Sequence, residues 1–204
     1  NKFCITRLEN PVEKKGQQIK YNIPPGAGTF PFFPPSVLAA YESKDEVHTL
    51  VLTEGYFKAF KGAMHGIIII GLSSITHLRE KDSQSLYPDI KKFIIDKKVK
   101  RVIFLHDGDC MNITSKEIVD GIDLYKRPNQ FFQSAATFKR LLDDFKDVEK
   151  IYAHVLSDKF EGSPKGLDDL MIAFPEKANE IAEDLQNVSE RESKYFYREN
   201  ITFS

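Results

Sequence analysis

The sequence predicts an α/β fold, with a mostly parallel central sheet flanked by helices and a Pro/Gly-rich N-terminal arm. Three observations predict it. From Val47 onward, short apolar runs alternate with stretches of helical periodicity. Those runs are rich in β-branched residues and lack polar alternation, as do strands covered on both faces. Before Val47, prolines and glycines recur too often for a central strand or a long helix.

The arm spans residues 1–46. Pro24-Pro25-Gly26-Ala27-Gly28 and Phe30-Pro31-Phe32-Phe33-Pro34-Pro35 punctuate it, and a hairpin is expected around Lys20 to Phe33. Its aromatics need burial, so the phenylalanines are read as packing against the main body. The α/β domain is expected over residues 47–190, with a tail at 191–204. Thr49–Thr53 is the first strand. Residues Gly55 to Met64 follow as a helix with Phe57, Phe60 and Met64 at helical spacing. Ile67–Ile70 is the second strand, and Ser85 to Lys97 a helix presenting Leu86, Ile90, Phe93 and Ile94 on one face. Arg101–Leu105 is the third strand. Pro128 suits the first turn of a helix, and Phe131, Ala135, Phe138, Leu142 and Phe145 then keep helical spacing. Ile151–Val155 is the fourth strand, and Pro175 to Val188 the last helix.

Composition bounds the function. Hydrophobic residues at 41% and charged residues at 29% exclude a disordered acidic tail, a collagen-like fibre and a coiled coil. Lys and Arg number 29 against 30 Asp and Glu, a net charge of −1, so a polyanion must meet a local patch. Cys4 and Cys110 are far apart and form no zinc spacing, which leaves a reducing, cytoplasmic setting as the expectation. Ile67–Ile70 falls far short of the roughly 20 residues of a membrane span, so no membrane is expected. Nothing near the start reads as a signal peptide, and the opening at Asn1 suggests a segment of a longer protein.

The acidic residues cluster after strands. Glu54 directly follows the first, Asp107 and Asp109 the third, and Asp168 and Asp169 lie in the loop after the fourth. In a parallel sheet the carboxyl ends of the strands line one crevice, where ligands bind. Two carboxylates about 4 Å apart repel by about 4 kcal/mol at an effective dielectric near 20, so convergence calls for a cation or raised pKa values. An all-oxygen ligand set favours Mg²⁺ or Mn²⁺. Lys58, Lys61 and Lys165 supply positive charge for a phosphate backbone, and Lys91-Lys92, Lys97-Lys98 and Lys100-Arg101 extend a track. Each feature also has a plainer reading. Glu54 could be a helix N-terminal charge, Asp107-Gly108-Asp109 a turn, and Asp168 and Asp169 the first turn of a helix. His106 is expected to point away from Asp107, because strand side chains alternate. Cys110 is read as structural.

At these residues the sequence resembles a family. The strand ending in Glu54-Gly55, the helix carrying Lys58-Ala59, the Gly66 to Gly71 strand and Asp107-Gly108-Asp109 together resemble a Toprim domain. That is the metal-binding fold of bacterial primases, type IA and II topoisomerases and OLD-type nucleases. Lys165-Gly166-Leu167-Asp168-Asp169-Leu170 resembles, more narrowly, the Toprim-like domains of phage, plasmid and other mobile-element primase proteins, as do Lys20-Tyr21 and Pro24-Pro25-Gly26 in the lead-in. The resemblance covers roughly residues 47–172. It implies that Glu54 is a metal ligand or general acid/base, that Asp107 and Asp109 hold a divalent metal, and that Asp168 is a further acidic position beside Lys165. Tyr56 and Phe57 stand where such domains often carry another acid or polar residue, and residues 110–127 form an insertion.

Three functions are then open. The first is a metal-dependent nucleotidyl-transfer module of primase type, acting on single-stranded DNA and nucleotides beside a helicase or further replication domains. The second is an OLD-type nuclease using the same carboxylates. The third is a non-catalytic module that keeps the fold and binds DNA or a replication partner.

Overall fold

The computed structural model describes residues 6–14, 17–22, 30–79, 83–113, 118–121 and 123–201. Strands β1 (Thr6–Lys14) and β2 (Gln17–Asn22) pair antiparallel as a hairpin. The hairpin therefore precedes the one expected around Lys20 to Phe33, and Pro24 to Gly28 lie outside the described residues. A short helix, α1 (Pro35–Glu42), follows within the arm. Pro35 occupies its first turn, where a missing N–H costs nothing and the fixed φ favours the helix. The arm then docks on the sheet: Phe32 and Gly71 exchange backbone hydrogen bonds of 2.7 and 2.9 Å.

Four strands run parallel: β3 (Thr49–Glu54), β4 (Ile69–Leu72), β5 (Arg101–His106) and β6 (Glu149–Val155). The expected tail carries one more, β7 (Phe196–Glu199), antiparallel to β6. The order is β4-β3-β5-β6-β7. Strand β4 starts later than its isoleucine run suggests. Gly66 turns the chain with φ +81°, and the Ile67 N–H bonds back to Gly62.

Helices cover both faces because the strands are apolar on both. Leu50, Leu52, Val102, Phe104 and Tyr152 pack with α1, with α3 (Pro88–Asp96) and with α4 (Lys126–Leu141). Val51, Ile69, Ile103, Leu105 and Ile151 face α2 (Tyr56–Met64), α5 (Leu167–Ala173) and α6 (Ala178–Gln186). The ring of Phe138 stacks on that of Phe104 at 5.0 Å, and each such fully buried side chain stabilises the fold by about 1.5–3 kcal/mol.

Helix α2 packs in an unusual sense. It buries Ala59, Gly62 and Ala63 and leaves Phe57, Phe60 and Met64 exposed. The contact with β4 is too close for larger side chains, since a Cβ on Gly71 would lie 3.0 Å from the Ala59 Cβ and 3.1 Å from the Gly55 carbonyl oxygen. Among the described residues no helix is long and apolar enough to cross a membrane.

Candidate functional site

Strand β3 lies between β4 and β5, so the chain leaves it first toward one edge and later returns on its other side. At that switch point the carboxyl ends of β3 and β5 are neighbours and leave a crevice between their loops. Glu54 closes β3. Gly55, at φ +97°, then swings the chain into α2, a conformation that favours glycine. The pairing of Thr53 with Leu105 sets Glu54 beside His106 on one face of the sheet. Asp107 and Asp109 follow in the loop beyond β5.

Gly108 holds that loop against the one after β6. Its N–H donates to the Lys165 carbonyl at 2.9 Å, and a Cβ there would fall 1.8 Å from the Ser157 hydroxyl oxygen. The Ser157 hydroxyl in turn donates to the Pro164 carbonyl at 2.8 Å. The DGD and KGLDD segments are therefore fastened together by main-chain contacts, which explains why residues far apart in sequence meet.

Glu54, Asp107 and Asp109 line one cavity of ≈ 180 Å³, with Ile75, His106, Cys110, Arg127 and Gln130 completing its wall. Basic side chains reach these acids. Lys58 donates to Asp107 Oδ1; Lys165 Nζ lies 2.8 Å and the Arg127 guanidinium 3.2 Å from Asp109 Oδ2. Burial lifts the Glu54 carboxyl above its ordinary pKa; Lys58 pulls it down, while Asp107 and Asp109 add to the rise. Burial acts to lower the Lys58 ammonium, but the charge and hydrogen bond of Asp107, with Glu54 and Asp168 nearby, together outweigh it and hold the pKa above its ordinary value. Lys58 thus sits in the middle of three carboxylates.

Asp168 occupies the first turn of α5, as the plainer reading has it, and it also borders the site. A Cβ on Gly166 would lie 2.7 Å from both Asp168 Oδ1 and Lys58 Cε. Burial raises the Asp168 carboxyl, and its Oδ1 is buried with no hydrogen-bond partner among the described residues. Asp169 caps the helix by accepting the Gly166 N–H at 3.2 Å. Lys61 sits apart from this group on α2, half-buried, with no ion pair among the described residues.

The basic track splits. Lys97, Lys98, Lys100 and Arg101 lie at the amino end of β5, about 20 Å of strand from Asp107. Lys97 is buried and donates to the Ser43 carbonyl at 2.8 Å. Arg101 is buried as well, with Glu149 at 2.8 Å, Glu190 at 3.0 Å and the Gln186 carbonyl at 3.2 Å. Neither extends a surface track, because each is buried and already engaged by acceptors of the chain itself.

His106 is the residue sequence reasoning missed. It does point to the opposite face from Leu105, but that face is the one Glu54 occupies, so its ring borders the cavity. The ring packs at 4.3 Å from Phe104 and 4.9 Å from Phe131, 2% exposed, with both nitrogens unpartnered among the described residues. Burial, with His154 and Lys58 nearby, lowers its pKa to about 3. The available signal was the strand register, which aligns position 54 with 106. Burial, with Glu199, Asp107 and Asp109 adding, pushes the Cys110 thiol up to about 12. Cys4 lies outside the described residues.

The donor set is compatible with a hard divalent cation. Its carboxylates are oxygen donors, and Asp168 lies by Lys58, which joins it to them. Among the described residues no three His, Cys, Asp or Glu side chains form a ready ligand group. Mg²⁺ keeps several waters and takes one or two carboxylates, so a closed protein cage is not required.

A mostly parallel sheet with carboxylates, lysines and a buried imidazole at its switch point defines an α/β protein with a polar crevice. The chain belongs to the family described as Domain of unknown function (DUF3854), whose model matches residues 42–178. That span takes in Glu54, Lys58, Lys61, Asp107, Asp109, Lys165 and Asp168. No curated protein and no solved structure matches the chain.

Proposed function

We propose that this is a Toprim-like, metal-dependent nucleic-acid domain of primase type, the nucleotidyl-transfer module of a mobile-element replication protein. The observation that carries the proposal is that Glu54, Asp107 and Asp109, at the carboxyl ends of two adjacent parallel strands, line one crevice. Asp107 and Asp109, with Asp168 beside them, are the residues to hold Mg²⁺ or Mn²⁺. When bound, the ion supplies Lewis-acid stabilisation of charge on a phosphate. Glu54, whose burial favours its protonated form, is suited to exchange a proton with a reacting hydroxyl oxygen. Lys58, Lys165 and Arg127 bring cationic groups to the same crevice and are suited to orient phosphate oxygens. The reading implies single-stranded DNA and nucleotides as partners, with a helicase or further replication domains supplying what this domain lacks. An OLD-type nuclease would use the same carboxylates to cut.

One observation favours a non-catalytic DNA- or partner-binding module instead. Both carboxylates of the DGD loop are already engaged by the chain's own cations, so a metal must compete for them. Manganese titration followed by electron paramagnetic resonance separates the readings. Saturable binding in the wild type that is lost in the Asp107→Asn, Asp109→Asn double variant, with metal-dependent primer synthesis, supports the enzyme. Strand nicking in place of synthesis supports the nuclease. Identical titrations for the two proteins remove the metal site.

A further inference from the structure

We propose that the outward face of α2 is a stacking track for single-stranded nucleic acid, with Phe60 as the base platform, Phe57 on its flank and Lys61 beside them for phosphates. The inference rests on the nucleic-acid reading of the neighbouring crevice and extends it to the path of the strand. Three observations support it.

First, the helix is inverted. A surface helix ordinarily turns its large apolar residues inward. Here Ala59 and Ala63 are 0% and 7% exposed, whereas Phe57, Phe60 and Met64 are 40%, 46% and 65% exposed. Positions 57, 60, 61 and 64 share one side of a helix, so these residues form a single stripe. Scattered exposed apolar residues need no explanation, but a contiguous stripe marks a binding surface.

Second, the charge around the stripe suits a polyanion. The chain as a whole has more acids than bases, yet no Asp or Glu occurs between Glu54 and Glu80, a stretch that carries Lys58, Lys61 and Arg79. On the stripe itself Lys61 sets an ammonium group beside the phenylalanine rings, while Lys58 turns to Asp107. Single-stranded nucleic acids are bound in this way, because every base has a π-face and every nucleotide a phosphate.

Third, the position is continuous with the crevice. Helix α2 begins immediately after Glu54 and Gly55, and Lys58, on its first turns, already reaches Asp107. Its nine residues extend about 13 Å, enough to guide bases toward or away from the carboxylates. A protein partner would also cover apolar surface, but it would have no need of a helix that carries lysines and no acid.

The chain contains no Trp, so Phe60→Trp introduces a single indole as a reporter. Oligothymidylate should quench its emission saturably, and salt should reverse the effect. Heparin, a polyanion without bases, should bind without comparable quenching. Phe60→Ala should lower oligonucleotide affinity roughly tenfold, the loss of about one base stack, while leaving the melting temperature unchanged. Oligonucleotide binding seen by anisotropy without quenching would overturn the track, as would unchanged affinity in Phe60→Ala or absence of binding altogether. Self-association that disappears in Phe60→Ala would overturn it in favour of a contact between copies. Manganese binding by the wild type without indole quenching would refute the track and leave the crevice reading standing; quenching without manganese binding would do the reverse.

Discussion

His106 makes the most quantitative prediction. Its ring is buried between Phe104 and Phe131 with neither nitrogen paired among the described residues, and burial lowers its pKa from 6.5 to about 3. The unfolded chain therefore takes up a proton on this ring near neutrality, whereas the folded chain does not. The stabilisation is fully present above the unfolded value and declines as pH falls toward the folded one. At about 1.4 kcal/mol per pH unit the whole window is worth about 5 kcal/mol. Between about pH 7 and about pH 5 the loss is about 2 kcal/mol. His106→Leu removes the titrating group while keeping an apolar side chain of similar size. Urea melts of both proteins at the two pH values give the difference, and carboxylates that titrate in both cancel. The wild type should lose about 2 kcal/mol more than the variant on acidification. Equal losses would mean that the folded chain accepts the proton at an ordinary pKa, so that the ring is not held dry against the helix.

Other outcomes follow from the same geometry. Gly108→Ala places a Cβ 1.8 Å from the Ser157 hydroxyl oxygen and 2.5 Å from the Val155 carbonyl oxygen, and should cost about 1–3 kcal/mol by denaturant melt. Ser157→Ala in the same chain should recover only part of this, because the Val155 carbonyl stays in place. Arg101→Gln should lower the melting temperature by removing the guanidinium shared by Glu149, Glu190 and Gln186, yet leave oligonucleotide affinity unchanged, since it lies at the far end of β5. In metal-free buffer the wild type should lose stability as pH rises above the ordinary carboxylate range, because the raised Glu54 carboxyl binds its proton more tightly in the folded state. Glu54→Gln should weaken that slope and melt at the same or a higher temperature at neutral pH; a large drop in melting temperature would instead make Glu54 a structural residue.

The strands that build the crevice were legible because their composition states their environment. Leu50 to Leu52 and Val102 to Leu105 are apolar at every position, and a segment of that length can satisfy such a pattern only with helices on both faces. The acids were legible because they end those runs. What the sequence concealed was set by partners distant in the chain. Nothing near Phe60 shows that Gly71 lets α2 lie close to β4 and forces small residues inward. Lys97 and Arg101 read as surface cations until Ser43, Glu149 and Glu190 are brought to them. Strand β7 is four residues with two exposed in its middle, too short and too polar to announce itself. Helix α1 was hidden by the prolines that begin it.

The contact between Phe32 and Gly71 bears on solubility. Strand β4 is the outer parallel strand, and its Ile69-Ile70 segment is the kind that recruits identical segments from other molecules. Phe32 occupies both main-chain hydrogen-bonding groups of Gly71. On its own flank it is preceded by Pro31, which has no N–H to offer an incoming strand. The arm therefore terminates the sheet rather than extending it. A chain shortened to begin after Phe32 would leave Ile69 to Leu72 as an open template, and it should form β-rich aggregates at concentrations where the intact chain stays dispersed.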